Sequence, residues 1–253
     1  MRNVWLGIRS IVLWLVCGIY FGLVVSLLIL FGIFLDPRKI DPMVRFFSRN
    51  LMRLAGPHVS VKKAPGFDAK RTSFFVTNHV NLFDPFVLYS SIPQHIRGLE
   101  LESHFKIPVY GALMKRYGNV PVPDVRRPSD LKRMYRLTKE ALEKGTSLVV
   151  FPEGKRTLDG RVDVFEDGAF RMARYLGYPI VPVSIVGSFE FNRKDRWWLH
   201  PSNIVVHIHD TIEAQVVKNE DVTTLKERVR SAIAAPVDEY YAKYEGVKGP
   251  HNI

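Results

Sequence analysis

The stretch Ser73-Phe74-Phe75-Val76-Thr77-Asn78-His79-Val80-Asn81-Leu82-Phe83-Asp84-Pro85 (residues 73–85) decides how this chain folds. Its opening is apolar, aromatic and β-branched, which reads as a short buried strand. Asp84-Pro85 reads as a helix start, since Asp caps and Pro suits the first turn. The same arrangement returns at residues 147–157, where Ser147-Leu148-Val149-Val150-Phe151 leads into Pro152-Glu153-Gly154-Lys155-Arg156-Thr157. Further strand candidates are His58–Val61, Ile96–Leu101, Asn119–Val122, Ile180–Ile185 and Ile204–Ile208. Helix-like stretches fill about 84–91, 105–116, 129–144, 167–176 and 222–244. This alternation predicts an α/β fold: one domain over residues 57–253, with a mixed, mostly buried β-sheet flanked by helices. No internal repeat, low-complexity segment or linker marks a second soluble domain.

Residues 1–56 have a different character. From Ile11 to Leu35 the sequence carries no charge, and about 25 residues at about 1.5 Å each reach about 37 Å, more than the hydrocarbon thickness of a bilayer. A cleaved secretory signal has a shorter apolar region followed by a small-residue cleavage site, and Leu35-Asp36-Pro37 offers none. A retained membrane helix over about 11–35 is therefore expected. An amphipathic helix over about 42–55 follows, with Met43, Phe47, Leu51 and Leu54 at helical spacing and Arg45, Arg49 and Arg53 on another face. Such a helix suits the headgroup plane, with the arginines as an anchoring stripe, or else packs on the domain. Basic residues flank both ends of the apolar run, so charge gives no orientation, and the run either spans or pairs with the second helix in one leaflet.

Composition bounds the partners. The 253 residues are 47% hydrophobic, enough for a sizeable core, and 36 Lys and Arg against 25 acids give a formal charge of +11. That balance favours anionic partners, but the cations are scattered rather than clustered with aromatics, which argues against nucleic acid. The single cysteine, Cys17, has no partner within the chain for a disulfide and is read as a packing residue.

Two segments carry chemistry. His79 with Asp84 five positions later is a base and its orienter if the chain turns between them, although Asp84 as a plain helix cap fits equally well. Glu153, Lys155 and Arg156 around Gly154 offer a carboxylate and two cations at the end of a strand, where α/β domains commonly bind ligands; a solvated turn is the competing reading. Gly154-Lys155 approximates the end of a phosphate-binding loop but lacks its first glycine and its Ser or Thr. There is no G-x-S-x-G elbow and no G-x-G-x-x-G fingerprint. His207 and His209 share one strand face before Asp210 but lack a third metal ligand. Trp197-Trp198, among Arg193, Lys194 and Arg196, suits a packed surface loop.

Asn78-His79-Val80-Asn81-Leu82-Phe83-Asp84 and Phe151-Pro152-Glu153-Gly154-Lys155-Arg156-Thr157 together resemble the N-H-x4-D and F-P-E-G-x-R-S motifs of the PlsC-type lysophosphatidic acid and glycerolipid acyltransferases. Phe105 to Gly111 with Gly118 to Val122, and Val181 to Gly187, resemble two further blocks of that family, so the likeness extends over roughly residues 58 to 210. The resemblance implies a direct acyl transfer with His79 as general base, Asp84 as its orienter, and Asn78, Glu153, Gly154, Lys155, Arg156 and Thr157 as acceptor-binding residues. It implies an acyl-CoA or acyl-carrier-protein co-substrate, with no cofactor and no metal. It also implies a lysoglycerolipid acceptor, led by 1-acyl-sn-glycerol-3-phosphate, in phospholipid biosynthesis. The expected setting is a bacterial inner membrane with the catalytic domain facing the cytoplasm; the oligomeric state stays open.

The chain departs from the family where cations are usual. Asp124 stands in place of an Arg, Glu100 to Glu102 in place of a Lys-containing stretch, and Asp167 in place of a Lys, while Arg126 and Arg127 restore charge if the register shifts slightly. If the acidic positions face the acceptor, a less anionic headgroup such as that of a lyso-ornithine lipid becomes the alternative. A hydrolase using the same His and Asp with water, and a membrane-tethered anionic-lipid-binding protein without chemistry, are the readings from other classes.

Overall fold

The computed structural model describes residues 2–125 and 127–248 of the chain. Two long helices come first, α1 (Arg2–Phe34) and α2 (Pro37–Ala55). The strands are β1 (His58–Lys63), β2 (Phe74–Thr77), β3 (Ile96–Leu101), β4 (Val120–Val122), β5 (Ser147–Val150), β6 (Ile180–Val186) and β7 (Asn203–Ile208). The remaining helices are α3 (Asp84–Ser91), α4 (Tyr110–Arg116), α5 (Pro128–Glu143), α6 (Gly168–Leu176), α7 (Ser188–Phe191), α8 (Ala214–Asn219) and α9 (Val222–Lys248).

Among the described residues the strands form one seven-stranded sheet in the order β1-β7-β6-β2-β5-β3-β4. The pairs β6-β2, β2-β5, β5-β3 and β3-β4 are parallel, whereas β6-β7 is antiparallel and β1 runs with β7. The sheet is therefore mixed, as the sequence predicts. Its central strands are buried on both faces, every residue of β2 and β6 being buried. Successive residues alternate between two cores. Phe75, Val149, Val181, Val183 and Ile185 meet α1, α2 and α3 on one face. Phe74, Val76, Leu148, Ile180 and Val186 meet α5, α6, α8 and α9 on the other.

Connectivity fixes where a site can form. From β2 the chain crosses through α3 to β3, over β5; from β5 it crosses through α6 to β6, over β2, on the opposite face. The two crossovers leave neighbouring strands in opposite directions, which opens a crevice at the carboxyl ends of β2 and β5.

The N-terminal helices belong to the packing of the domain. Cys17 of α1 and Leu51, Met52 and Ala55 of α2 lie in the same core as the sheet. Docking runs along most of α1: Arg9 donates to the Leu199 carbonyl, Trp14 to that of Trp197, Tyr117 donates to the Leu28 carbonyl, and Arg116 reaches those of Gly32 and Leu35. The opposite face is apolar and exposed, from Trp5, Ile8, Val12 and Leu15 to Ile19, Leu23, Leu30 and Ile33. By length and composition Val4–Phe34 suffices to cross a membrane.

Several expectations shift. The amphipathic helix starts at Pro37, five residues before its expected start, because Asp36 caps it by accepting from the Arg38 N–H at 2.8 Å. Arg45 leaves the expected anchoring stripe: it turns inward to Asp41 at 2.8 Å and to the Ile92 carbonyl, while Arg49 and Arg53 stay exposed. The helix expected over 105–116 is broken into a 3₁₀ turn, Glu102–Lys106, and α4. Pro108 disfavours helical backbone at Ile107, and Val109 adopts φ 67°, outside the helical region. α7 and α8 were unanticipated, being too short to show a periodicity.

Candidate active site

β2 ends at Thr77, and the backbone then folds around a single carboxylate. Asp84 is fully buried, and its Oδ2 accepts from the Val80 N–H at 2.6 Å, the Asn81 N–H at 3.0 Å and His79 Nδ1 at 2.8 Å. Ser188 adds a hydroxyl donor to Oδ1 at 3.4 Å. A helix cap and a base-orienting acid are thus the same group: the carboxylate that closes the turn before α3 also holds the imidazole. Because a carboxylate can only accept, Nδ1 carries the proton and Nε2 keeps its lone pair. The His79 side chain is 24% exposed, and its ring stacks on Phe151 at 4.2 Å between centroids, so its plane is set from two sides.

Neighbouring asparagines hold this loop to β6 and α7. Asn78 makes two bonds with the Ile185 backbone, donating to its carbonyl at 3.0 Å and accepting from its N–H at 2.8 Å. Asn81 donates to the Ser188 carbonyl and hydroxyl, both at 2.7 Å, and accepts from the Phe83 N–H at 2.7 Å.

The segment after β5 locks onto the first loop. Glu153 is 6% exposed and accepts from the His79 N–H at 2.8 Å through Oε1 and from the Asp163 N–H at 3.2 Å through Oε2. Thr157 returns a bond from its N–H to the His79 carbonyl at 2.9 Å. Burial pushes the Glu153 carboxyl up to about 7, against the two N–H bonds and the imidazole that favour its ionised form. At Gly154 the chain takes φ 65°, a conformation in which a side chain would be strained. The Thr157 hydroxyl donates to Asp159 at 2.9 Å and accepts from the Gly160 N–H at 3.1 Å.

His79, Asp84, Asn78, Glu153 and Thr157 therefore converge. Lys155 instead points to solvent and pairs with Asp163 at 3.1 Å. Arg156 is half-buried and has no hydrogen-bond or ion-pair partner among the described residues. Asn78, Glu153 and Thr157 spend their polar atoms on backbone or local turns, which makes them builders of the crevice wall. Phe151, Asn81, Asp163 and Ser188 also belong to the site. Phe151 opens the second quoted motif and ends a strand in sequence, with nothing there to show that its ring meets His79, and nothing local marks Ser188.

The acidic departures all have partners within the chain. Asp124 accepts from the Ser103 N–H and hydroxyl at 2.9 Å each, Glu102 pairs with Arg133 at 3.1 Å, and Asp167 with Lys226 at 2.9 Å and Arg171 at 3.0 Å. Glu100 accepts from His104 at 3.1 Å and from Tyr110 at 2.5 Å. Arg126 lies outside the described residues. His209 donates to Ser184 at 2.8 Å, and the Ser184 hydroxyl donates to the Ile233 carbonyl at 2.8 Å, near Pro236 within α9. That histidine is accounted for by helix packing, and among the described residues no cluster of three metal-ligating side chains occurs.

The family model described as Acyltransferase matches residues 58–186, the segment that runs from β1 through both loops to the end of β6. The chain belongs to the Acyltransferase family. It is 32% identical over 168 residues to the chloroplastic 1-acyl-sn-glycerol-3-phosphate acyltransferase LPAT1 of Arabidopsis thaliana, which covers 65% of this chain and 44% of that one. It is 23% identical over 204 residues to the 1-acyl-sn-glycerol-3-phosphate acyltransferase of Escherichia coli, covering 81% and 82%. The chain matches only 33% of the length of the related Brassica napus protein and 44% of the Arabidopsis one. Its fold is that of the 1-acyl-sn-glycerophosphate acyltransferase PlsC from Thermotoga maritima, with a TM-score of 0.79 at 21% identity over 96% of this chain and 98% of that one. For this member of the Acyltransferase family, the mixed sheet and the N-terminal helix pair are thus one architecture.

Proposed function

We propose that the chain transfers an acyl group from a thioester to the free hydroxyl of 1-acyl-sn-glycerol-3-phosphate, giving phosphatidic acid. The observation that carries this reading is the His79–Asp84 pair, with Nδ1 fixed on a buried carboxylate and Nε2 free of protein partners among the described residues. In the proposed step Nε2 takes the proton of the acceptor hydroxyl as its oxygen bonds to the thioester carbonyl. The tetrahedral adduct then collapses, the carbon–sulfur bond breaks, and the thiolate leaves with the proton returned from Nε2. Base catalysis of this kind is worth about 10² to 10⁴ in rate. Arg156 supplies charge for the acceptor phosphate, since its guanidinium is unspent. The relatives' names support a lysophosphatidate acceptor. The partnered acids leave no observation that favours a cationic headgroup.

The same reading places the chain at a membrane. A helix docked on its domain along most of its length cannot cross a bilayer upright without drawing polar surface into hydrocarbon, so α1 lies in the leaflet with its exposed apolar face toward the acyl chains. The acceptor then arrives laterally, and we assign the domain to the cytoplasmic side of a bacterial inner membrane, where thioesters are available.

The test is transfer of labelled palmitate from palmitoyl-CoA by the purified protein to a panel of lysolipids with phosphate, choline and ornithine headgroups. The expected product is phosphatidic acid. Preference for an ornithine or choline acceptor would overturn the assignment of the acceptor, and release of free palmitate alone would overturn acyl transfer.

A further inference from the structure

The loop from Asn192 to His200 follows α7 at the rim of the crevice and closes on the first turns of α1. Buried Asn192 donates to the carbonyls of Arg196 at 3.2 Å and Trp198 at 3.3 Å, so the loop is held in one shape. Three bonds tie it to α1: Ser10 accepts from the Leu199 N–H at 3.1 Å, and Arg9 and Trp14 donate to the Leu199 and Trp197 carbonyls at 2.6 Å each. The Trp197 ring stands 3.9 Å from where a Cβ on Gly7 would lie, and it stays 49% exposed. Val4 and Ile11, one turn before and after Gly7, are exposed too, so the ring extends the apolar face of α1 sideways. The same surface reaches the crevice. Trp14 meets Phe83 at 5.6 Å between centroids, and Leu82, in the loop between His79 and Asp84, is exposed. From the other side α7 opens at Ser188, 3.4 Å from the Asp84 carboxylate, and its Phe191 ring meets Phe83 at 5.1 Å.

Within the loop three cations stand against one acid. Arg193 and Arg196 share Asp195 at 3.4 and 3.8 Å, and Lys194 is exposed with no hydrogen-bond or ion-pair partner among the described residues. Burial, and then the charges of Arg196, Arg9 and Arg193, hold the His200 imidazole below its ordinary range, as a corner of net positive charge should. From these features we infer that the loop is a second membrane contact, selective for anionic phospholipid: Trp197 and Leu82 enter the leaflet beside α1, while Lys194 and Arg196 take phosphate headgroups. The surface itself names this occupant. A tryptophan set between apolar surface and cations repeats the order of hydrocarbon, interface and headgroup. It is also continuous with Val4–Phe34, a helix apolar and long enough to cross a membrane, whose exposed face a protein partner would have to cover as well. Each Lys or Arg near an anionic surface is worth about fivefold in local lipid concentration. This extends the leaflet placement of α1 proposed above, on which it rests, and brings the rim of the crevice to the bilayer along with the helix.

The test uses the full chain reconstituted in phosphatidylcholine bilayers that contain a minor fraction of dibrominated phosphatidylglycerol or dibrominated phosphatidylcholine, whose bromines quench tryptophan on contact. Subtracting W197F from wild type isolates Trp197, and subtracting W5F isolates Trp5 on the exposed face of α1. Trp197 is expected to be quenched by both lipids, with phosphatidylglycerol effective at a fraction about fivefold lower. K194E/R196E, altered at two exposed side chains, is expected to lose that preference and keep the quenching. Salt gives the same readout without a substitution: the preference is expected to shrink in wild type as ionic strength rises from roughly 0.01 M to 1 M and the screening length falls from about 30 Å to about 3 Å. Equal quenching by the two lipids, or a preference indifferent to salt and to the double variant, would overturn the headgroup assignment. A Trp197 that no lipid quenches, beside a quenched Trp5, would overturn the rim contact alone; its shielding from acrylamide in that case would give the surface to a second copy or another protein. If neither tryptophan is quenched, the leaflet placement of α1 fails as well. No turnover is needed, so a chain that transfers no acyl group would leave these outcomes decisive.

Discussion

Replacing Glu153 with Gln tests the most unusual electrostatic feature of the site. Glu153 is 6% exposed, and burial raises its carboxyl from 4.5 to about 7. A rise of that size corresponds to about 3 kcal/mol between the two protonation states. The folded chain holds this proton more tightly than the unfolded one, so between pH 4.5 and 7 the native state binds more protons and stability falls as pH rises. Below that window the group costs nothing; above it the full penalty of an ionised buried carboxylate is present. Glutamine cannot ionise; its amide oxygen accepts from one of the His79 and Asp163 N–H groups while its NH2 faces the other donor, a cost of about 1–3 kcal/mol that is the same at every pH and leaves the pH trend to the wild-type carboxyl. Relative to wild type, E153Q is therefore expected to gain about 3 kcal/mol between about pH 5 and pH 8, about 6 °C in Tm for a chain of this length. Thermal melts of both proteins at several pH values in one detergent give the answer. A difference in Tm that stays constant across this range, or that moves in favour of wild type, would refute the assignment of a raised carboxyl.

Two further predictions concern the frame around the site. Asp41 joins α2 to β3: it bonds His95 at 2.9 Å and Arg97 at 3.1 Å, and Arg97 is 1% exposed. Burial opposes the Asp41 charge, but the His95 bond and the arginines outweigh it and hold the group down to about 2. Its contribution, about 2 kcal/mol from the shift, is present above about pH 4 and lost as pH falls toward about 2; Asp41→Ala, which strands a buried guanidinium, is expected to cost about 3–5 kcal/mol in denaturant unfolding at about pH 7. At Gly160, φ is 86° and an added Cβ would fall 2.0 Å from the Tyr241 oxygen. Gly160→Ala is expected to cost about 2–4 kcal/mol from overpacking and left-handed strain, and Tyr241→Phe should return part of that loss; a double variant no more stable than G160A would show that the hydroxyl is not the obstacle.

Much of this architecture was legible because it is local. Strands such as Phe74–Thr77 and Ser147–Val150 announce themselves as short apolar runs between polar turns, and the order of motifs along the chain places both loops at carboxyl ends. The pairing of His79 with Asp84 was legible as spacing, but its buried cage of N–H donors was not, since those come from backbone whose path only the fold determines. Glu153 shows the limit best. Beside Lys155 and Arg156 it reads as a ligand for substrate, yet tertiary packing turns its carboxylate inward to join two loops distant in sequence. Arg45 misled for the same reason, because a helical stripe cannot reveal that its partner, Asp41, lies one turn away on the buried side. The orientation of α1 was open in sequence because an apolar run says what it avoids and not what it touches; Arg9, Trp14, Arg116 and Tyr117 supply that information only once the helix is docked.

The most direct measurement is single-turnover transfer of palmitate from palmitoyl-CoA to 1-acyl-sn-glycerol-3-phosphate by wild-type protein, His79→Ala and Asp84→Asn, each shown to be folded by its melt. Removing the imidazole is expected to slow transfer by about 10² to 10⁴. In Asp84→Asn the amide oxygen would take the Oδ2 position, where the Val80 and Asn81 N–H groups need an acceptor, so Nδ1 keeps its bond but the carboxylate charge that stabilises the imidazolium is gone, and transfer is expected to slow as well. Folded variants that still transfer within a few-fold of wild type would contradict the role of this pair.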